Sequence, residues 1–448
     1  MENWHTSGYL VVLSNRNFRA LWLAQLLSNT ALNGSFFVQL ILIEHITGSS
    51  AHLGAVILSF TLPAVLLSAM AGMIVDRVSK KSILVWSNAL RVLTGGALAI
   101  LAALLPHHKW LEFFFLVAIY LLVFVTSAIG QFFAPAEGAT IPLLVRSEHL
   151  LAANSLFTLT FIIAQILGMI ILSPLGVKTI GIVGSLWIAV AMYIAATLCV
   201  MLIPRDVPAR ANALNGASAV RRALDEVREG WHFAITHRVI FIALLQLALT
   251  NTLILTMAEM VPGFARRVLG LQPEDAIYVF WPAGVGLFLA SLFIGRFGHH
   301  VPRELLAVGG MIGVAIGLLG IAWVGMGSVI FGEPVFTRFP ELYLTTSALV
   351  MFFALIIGMA VATINIPAQT IVQERSNDAV RGRVLAVQFT IANAVAIPPM
   401  LLIGHLADLY GIPRVTVLVA VGVAGVAGVN AVWALTTYRA ARARHLRA

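Results

Sequence analysis

Gly72-Met-Ile-Val-Asp76-Arg77-Val-Ser79-Lys80-Lys81-Ser-Ile-Leu84 is a short charged knot between two long apolar runs. The run before it reaches back to Glu44, and the run after it extends to Lys109, broken only by Arg91. Lys and Arg resist transfer across a bilayer, so a tight cationic loop joining two apolar helices marks the cytoplasmic face of a membrane protein.

The composition agrees with that reading. Of 448 residues, 60% are hydrophobic and 10% charged, whereas a soluble domain carries about 25% charged residues. The net charge of +9 is spread through short loops. Nucleic acid would require a concentrated basic face, so no nucleic-acid partner is expected. Cys199 is the single cysteine and lies in an apolar run, which rules out a disulfide framework and a multi-cysteine metal site. No signal peptide is expected, because the first apolar run is long enough to span and no cleavage-type sequence follows a short apolar core.

Stretches free of Asp, Glu, Lys and Arg fall at 20–43, 45–75, 92–108, 113–136, 149–177, 179–204, 239–258, 276–295, 305–332, 342–373, 384–407 and 415–438. Each comes close to, or exceeds, the roughly 20 residues needed to cross a hydrocarbon core. The shortest gains a turn by starting before Arg91. The expected fold is therefore all-α: a polytopic membrane protein of twelve transmembrane helices in two six-helix, pseudo-symmetric halves. The expected divisions are an N-terminal half at 1–204, a cytoplasmic linker at 205–238, and a C-terminal half with a basic tail at 239–448. With the N-terminus inside, 22 of the 28 Lys and Arg residues face the cytoplasm, counting Arg77 to Arg91 as one loop group. Both termini are then cytoplasmic. Within the linker, Val220, Leu224, Val227 and Trp231 recur on one face with charged residues around them. This pattern describes either an amphipathic helix on the membrane surface or a solvated helical connector.

The pattern G-x-x-x-D-R-x-x-K-K at Gly72–Lys81 resembles the loop between the second and third helices of major facilitator superfamily transporters, although Ser79 stands where the family usually has Gly. Several stretches resemble the branch that includes enterobactin exporters and macrolide-efflux proteins. They are Asn15 to Trp22, Phe133-Ala-Pro135-Ala136 with Leu144-Val-Arg-Ser-Glu148, Pro262 to Gly270, and Gln369 to Arg375 with Arg381-Gly382-Arg383. Pro135-Ala136 is echoed by Pro367-Ala368, each read as following its span, and Gly295 to Arg303 looks like a worn copy of the Gly72 loop. Such a repeat places a substrate site between two halves near the midplane. The resemblance implies export by alternating access from a bacterial inner membrane, with the lipid bilayer, an amphipathic small molecule and protons as partners, and a monomer. It also implies a conformational latch of Gly72, Asp76, Arg77, Lys80 and Lys81, with Asp76 facing the start of helix 11 near Arg381 and Arg383. Two features depart from proton-coupled members. The fourth span has no Arg in Val125–Gln131, and Gly168-Met169 replaces the Gly-Pro of antiporters.

Polar groups inside spans are costly and therefore mark function. Gln25, Asn29 and Asn33 stack on one face of the first span. Gln131 lies on the fourth, Asn154, Thr158 and Gln165 on the fifth, Asn251 on the seventh, and Gln388 and Asn393 on the eleventh. These are candidates to line a substrate cavity, and interhelical packing is the alternative role for such side chains. Among the acids, Glu44 is expected at the outer interface in contact with water. Glu137, at the inner end of the fourth span, is expected to pair with a loop Arg. Glu259, about a turn inside the seventh span and on one face with Thr252 and Thr256, is the leading candidate for proton coupling, with Glu137 second. An outer salt bridge from Glu259 to Arg266 or Arg267 is the structural alternative. No Walker loop, Gly-x-Ser-x-Gly elbow or His-Glu-x-x-His occurs, so no cofactor, metal or enzymatic activity is expected. The reading is a proton-coupled exporter of an amphipathic small molecule. A lipid or lysolipid flippase on the same fold, and a non-transporting sensor or enzyme, are the alternatives.

Overall fold

A bilayer core offers backbone N–H and C=O groups no partners, so each apolar run must satisfy its own as a helix. The computed structural model describes residues 9–104, 112–206, 228, 231–233, 235–297, 301–331, 333–338, 340–375 and 378–445. Among these, twelve helices are long and apolar enough to cross a membrane, and there is no strand. In chain order these spans are built on α1 (Arg16–Thr47), α2 (Ser50–Arg77), α3 (Lys80–Leu104), α4 (Glu112–Leu144), α5 (Leu150–Gln165), α6 (Ser173–Met201), α7 (Arg238–Gly263), α8 (Pro282–Phe297), α9 (Arg303–Phe331), α10 (Tyr343–Arg375), α11 (Asp378–Tyr410) and α12 (Ile412–His445), with α5 and α8 extended by adjoining helical turns. The all-α, twelve-span architecture expected from the sequence is the one observed. Phe113, Trp323, Ile330 and Leu344 are each at least 69% exposed, which suits lipid rather than water.

The chain divides into two units, 1–43 with 55–225, and 44–54 with 226–448. In the first, α3 packs against α4 and α6. Its core gathers Phe18, Leu21, Leu84, Phe133, Phe157 and Val200. In the second, α9 packs on α10 and α12, α8 on α10, and α11 on α7. Gly310, Gly313 and Gly317 share one face of α9. A methyl group on Gly310 would come 2.8 Å from the Ala360 carbonyl, and one on Gly313 would come 3.0 Å from the Ala360 side chain. Small residues let helices approach this closely where no hydrophobic effect drives them together.

Several boundaries differ from the charge-free stretches. Arg91 does not belong to a loop: α3 begins at Lys80, and Arg91 is 1% exposed in mid-helix. Lys178 does not separate the fifth and sixth spans. The backbone stays helical through it, and the corner falls at Gly181, whose φ of 76° a side chain would resist. Pro135 and Pro367 lie inside α4 and α10 rather than after them. Helix α7 continues as a π-helical stretch, Phe264–Leu269, so Glu259 is deeper than a single turn from the end. Glu44 does not face water: α1 runs on to Thr47, the chain turns at Gly48 (φ 58°), and Glu44 is fully buried. Of the amphipathic linker pattern, Val220, Leu224 and Val227 lie outside the described residues.

Candidate functional site

The first unit holds a buried cation. Arg91 sits between the rings of Phe133 and Tyr193, 5.0 and 5.8 Å from their centroids. Its Nη1 donates to Ser28 Oγ at 2.9 Å, and Ser28 Oγ donates in turn to Asn88 Oδ1 at 2.9 Å. Gly130 makes room for the guanidinium, since a Cβ there would lie 2.8 Å from Nη2. Glu137 is 7% exposed, and the cation acting on it is Arg91 rather than a loop Arg. That expectation is corrected: the positive partner is inside the span. On the α1 stripe, one side chain bonds to a neighbouring helix and one back to its own. Gln25 Nε2 donates to the Phe157 carbonyl at 3.1 Å, and Asn33 Nδ2 donates back to the Asn29 carbonyl at 2.8 Å. Gln131 donates to the Ser127 carbonyl on its own helix. Asn154, Thr158 and Gln165 on α5 are exposed.

At the start of α3, Asp206 performs a task the sequence did not reveal. Its carboxylate accepts from Ser79 Oγ at 2.7 Å and from the backbone N–H groups of Lys80 and Lys81 at 2.8 and 3.0 Å. Lys80 Nζ stands 3.9 Å away, and Lys81 Nζ donates to the Met201 carbonyl. Burial raises the Asp206 carboxyl, but these donors outweigh it and hold the group below its ordinary range. Ser79, the departure from the family Gly, is thus a helix N-cap. Of the expected latch, Arg77 ends α2, and Lys80 and Lys81 begin α3. The side chains of Gly72, Asp76, Arg381 and Arg383 lie outside the described residues.

The second unit contains the most unusual carboxylate. Glu259 is fully buried, and among the described residues neither carboxylate oxygen has a hydrogen-bond partner. It is wedged against two glycines. A Cβ on Gly54 of α2 would lie 2.9 Å from Oε1, and one on Gly404 of α11 would overlap that oxygen outright. Thr256, one turn earlier on α7, is buried and its hydroxyl has no partner among the described residues, whereas Thr252 donates to the Ala248 carbonyl. Farther along the same helices, Asn251 Nδ2 donates to the Ala392 carbonyl on α11 at 2.9 Å, and Gln388 Nε2 donates to Gln369 Oε1 on α10 at 2.9 Å. Asn393 is half-buried on α11.

The two arginines beyond Glu259 serve other partners. Arg267 Nη1 donates to Asp408 Oδ1 at 3.0 Å, its Nη2 to Ser50 Oγ at 2.6 Å, and its Nε stands 3.5 Å from Glu44 Oε1. Arg266 Nη1 donates to the Glu44 carbonyl at 2.5 Å. Asp408 accepts from Ser49 Oγ at 2.5 Å and from the N–H groups of Ser50 and Ala51 at 2.7 and 2.9 Å. The outer salt bridge weighed for Glu259 is therefore made by Glu44 and Asp408. Asp408 escaped the sequence reading because it ends an apolar stretch, where an acid looks like an ordinary boundary. Its place four residues after Gly404, one turn along α11, was the available clue.

Comparison with known proteins agrees with this architecture. The sequence model of the Major Facilitator Superfamily matches residues 21–398. The uncharacterized MFS-type transporter YkuC of Bacillus subtilis is 23% identical over 235 residues, 51% of this chain and 52% of that protein. Macrolide efflux protein A of Streptococcus pyogenes is 23% identical over 313 residues, covering 68% of this chain and 73% of that protein. The crystal structure of the nucleoside transporter NupG superposes with a TM-score of 0.70 at 14% identity, covering 92% of this chain and 97% of that one. At that identity the likeness concerns the fold alone.

Proposed function

This chain belongs to the Major Facilitator Superfamily, and on that premise we propose that it is a secondary active transporter exporting an amphipathic small molecule in exchange for protons, by alternating access. Glu259 carries the proposal. A buried ionised carboxylate without a partner suffers a desolvation penalty of several kcal/mol, compared with about 1–3 kcal/mol for an unsatisfied neutral group. On the side of Gly54 and Gly404 the carboxylate is in close contact with the two helices, and a side chain at either position would collide with it. A proton is the neutralising partner that needs no space. An acid that must be neutral in this arrangement, and would ionise once water reached it, has the properties of a proton carrier.

Export as the direction is supported by the similarity to macrolide efflux protein A. Asn154, Thr158 and Gln165, which are exposed, and the half-buried Asn393 are the residues we assign to substrate contact. Gln25, Asn251 and Gln388 are committed to bonds between helices, and Gln131 to one within its own. We place the protein in a bacterial inner membrane as a monomer, with halves at 1–204 and 239–448 and both termini cytoplasmic.

The experiment is flux in proteoliposomes with and without an imposed pH gradient. Glu259→Gln is expected to retain downhill exchange of substrate and to lose uphill accumulation. Uphill flux with an unaltered pH dependence in that variant would remove Glu259 from the coupling step.

A further inference from the structure

The second unit carries a groove that transport leaves unused. It encloses about 560 Å³ between α7, α9 and α12, and sites for small molecules hold about 300–1,000 Å³. Ile242, Leu245 and Leu249 of α7 and Val426 and Val429 of α12 give it apolar sides. Leu245, Val426 and Val429 are exposed, so the groove opens to whatever surrounds the helices. Gly422 and Gly425 of α12 keep it open, since a Cβ at either position meets nothing within 4 Å. Within it Gln246 Nε2 donates to Asn430 Oδ1 at 3.2 Å, an amide pair that joins α7 to α12. One end of the groove is marked by charge. Arg238 stands one turn before Ile242 on the same face of α7, exposed and with no ion pair among the described residues. Gln246 comes eight residues after Arg238, and Asn430 nine residues before Arg439, where the charge-free run of α12 ends. At 1.5 Å per residue, the amide pair lies about 12–14 Å from that basic level along both helices. The groove therefore occupies one half of a hydrocarbon core about 30 Å thick. Trp231 is exposed on the segment before α7, and aromatic residues of this kind collect at headgroup level.

We propose that the groove between α7, α9 and α12 holds one anionic phospholipid, with its phosphate against Arg238 and an acyl chain lying along Leu245, Leu249 and Val426. An apolar trough one leaflet deep, with a guanidinium at its polar end, has the outline and the charge that such a lipid requires. With both chain ends cytoplasmic, as placed above, the lipid comes from the inner leaflet. The amide pair is bonded to itself, so the tail meets no charge along the way. A zwitterionic lipid offers the same chain without the net charge, and one basic residue near the headgroups favours the anionic lipid about fivefold. A second copy of the chain fits less well, because it would bring its own Arg238 to the same level, like charge towards like charge. All walls of the groove belong to the second unit, and Glu259 takes no part. Failure of the lipid site would therefore leave the transport reading untouched.

The test is native mass spectrometry of the purified full-length protein in detergent, titrated with phosphatidylglycerol or with phosphatidylcholine of the same palmitoyl and oleoyl chains. Wild-type protein is expected to retain one phosphatidylglycerol, bound about fivefold more tightly than phosphatidylcholine. Arg238→Gln should bring the two lipids to equal affinity by weakening phosphatidylglycerol alone. Gly425→Phe, and Gly422→Phe as a second groove-filling variant, should lose the retained lipid of either kind. Gly428→Phe is the control: its Cβ also meets nothing within 4 Å, but the residue does not line the groove. That variant should bind as wild type does, and thermal midpoints in lipid-free detergent should be the same for all the phenylalanine variants. Displacement of the lipid by glycerol phosphate, which has no chains, would mean a soluble phosphate site and overturn the proposal. Equal retention of phosphatidylglycerol by wild type, Arg238→Gln and Gly425→Phe would mean an unselective lipid shell and overturn it as well. A wild-type dimer that Gly425→Phe dissociates, with lipid retention unchanged, would show a second copy in the groove instead.

Discussion

Arg91 occupies a site that only tertiary packing could provide. Two aromatic rings face its guanidinium, Ser28 accepts one N–H, and Gly130 leaves room for another. Glu137 lies within reach of its field in the same interior. A buried charge that loses its counterpart typically costs about 3–5 kcal/mol. Arg91→Met should therefore destabilise the protein by about that much, and adding Glu137→Leu should recover most of the loss. Thermal unfolding of the single and double variants in detergent measures both. Equal losses in the two would show that the charges do not communicate. Sequence alone could not see this, because a lone Arg eleven positions after Lys80 reads as the edge of a span. Glu259 was legible for the opposite reason, since no other charge lies near it in its run.

At the scale of elements, two helices begin in the same way. Helix α2 has Ser49 at its N-cap with Asp408 accepting its first N–H groups, and α3 has Ser79 with Asp206 in that role. The serine also accepts from the third residue on, at 3.4 Å in both cases. In each, an acid distant in sequence, Asp408 near the end of α11 or Asp206 in the segment after α6, fixes the start of another helix, and a cation stands beside it. Asp206→Asn should cost about 0.5–2 kcal/mol, the usual value of a lost cap. The pH dependence has a definite sign. Because the folded-state carboxyl is depressed, the stabilisation is complete above the unfolded value of about 3.9. It disappears as pH falls through the folded value. Unfolding curves for wild type and Asp206→Asn should therefore converge in acid and diverge toward neutrality. A constant offset at all pH values would show that the charge of Asp206 contributes nothing.

For the whole molecule, the spans were readable because lipid leaves a chain so few alternatives. Twelve apolar runs became twelve helices, but their ends moved wherever a charged residue was taken for a boundary. Glu44, Arg91 and Lys178 are all inside helices. A count of charges assumes that charge means water, and it fails wherever a partner across the helix interface replaces water. Polar stripes allowed two roles, cavity lining or bonding between helices, and sequence could not choose: Gln25 and Asn251 are bonded to neighbouring helices. Moving Arg91 off the cytoplasmic side leaves the excess of positive loops in place, so the orientation argument is unchanged. Impermeant maleimide applied to intact cells should fail to label Gly216→Cys in a Cys199→Ala background and should label it after permeabilisation. Labelling from outside would invert the topology.

The wedge of Gly54 and Gly404 around Glu259 also bears on energy conservation. A carrier that exchanged protons with both sides at once would short-circuit the gradient and dissipate it as heat. In the coupling role proposed for Glu259, a carboxylate pressed between two backbones trades its proton only when that contact parts, so slippage is limited by how often the contact opens without cargo. On that proposal the tightness of the stoichiometry is a matter of helix contact: two missing methyl groups would set how much of the gradient is used for each molecule expelled.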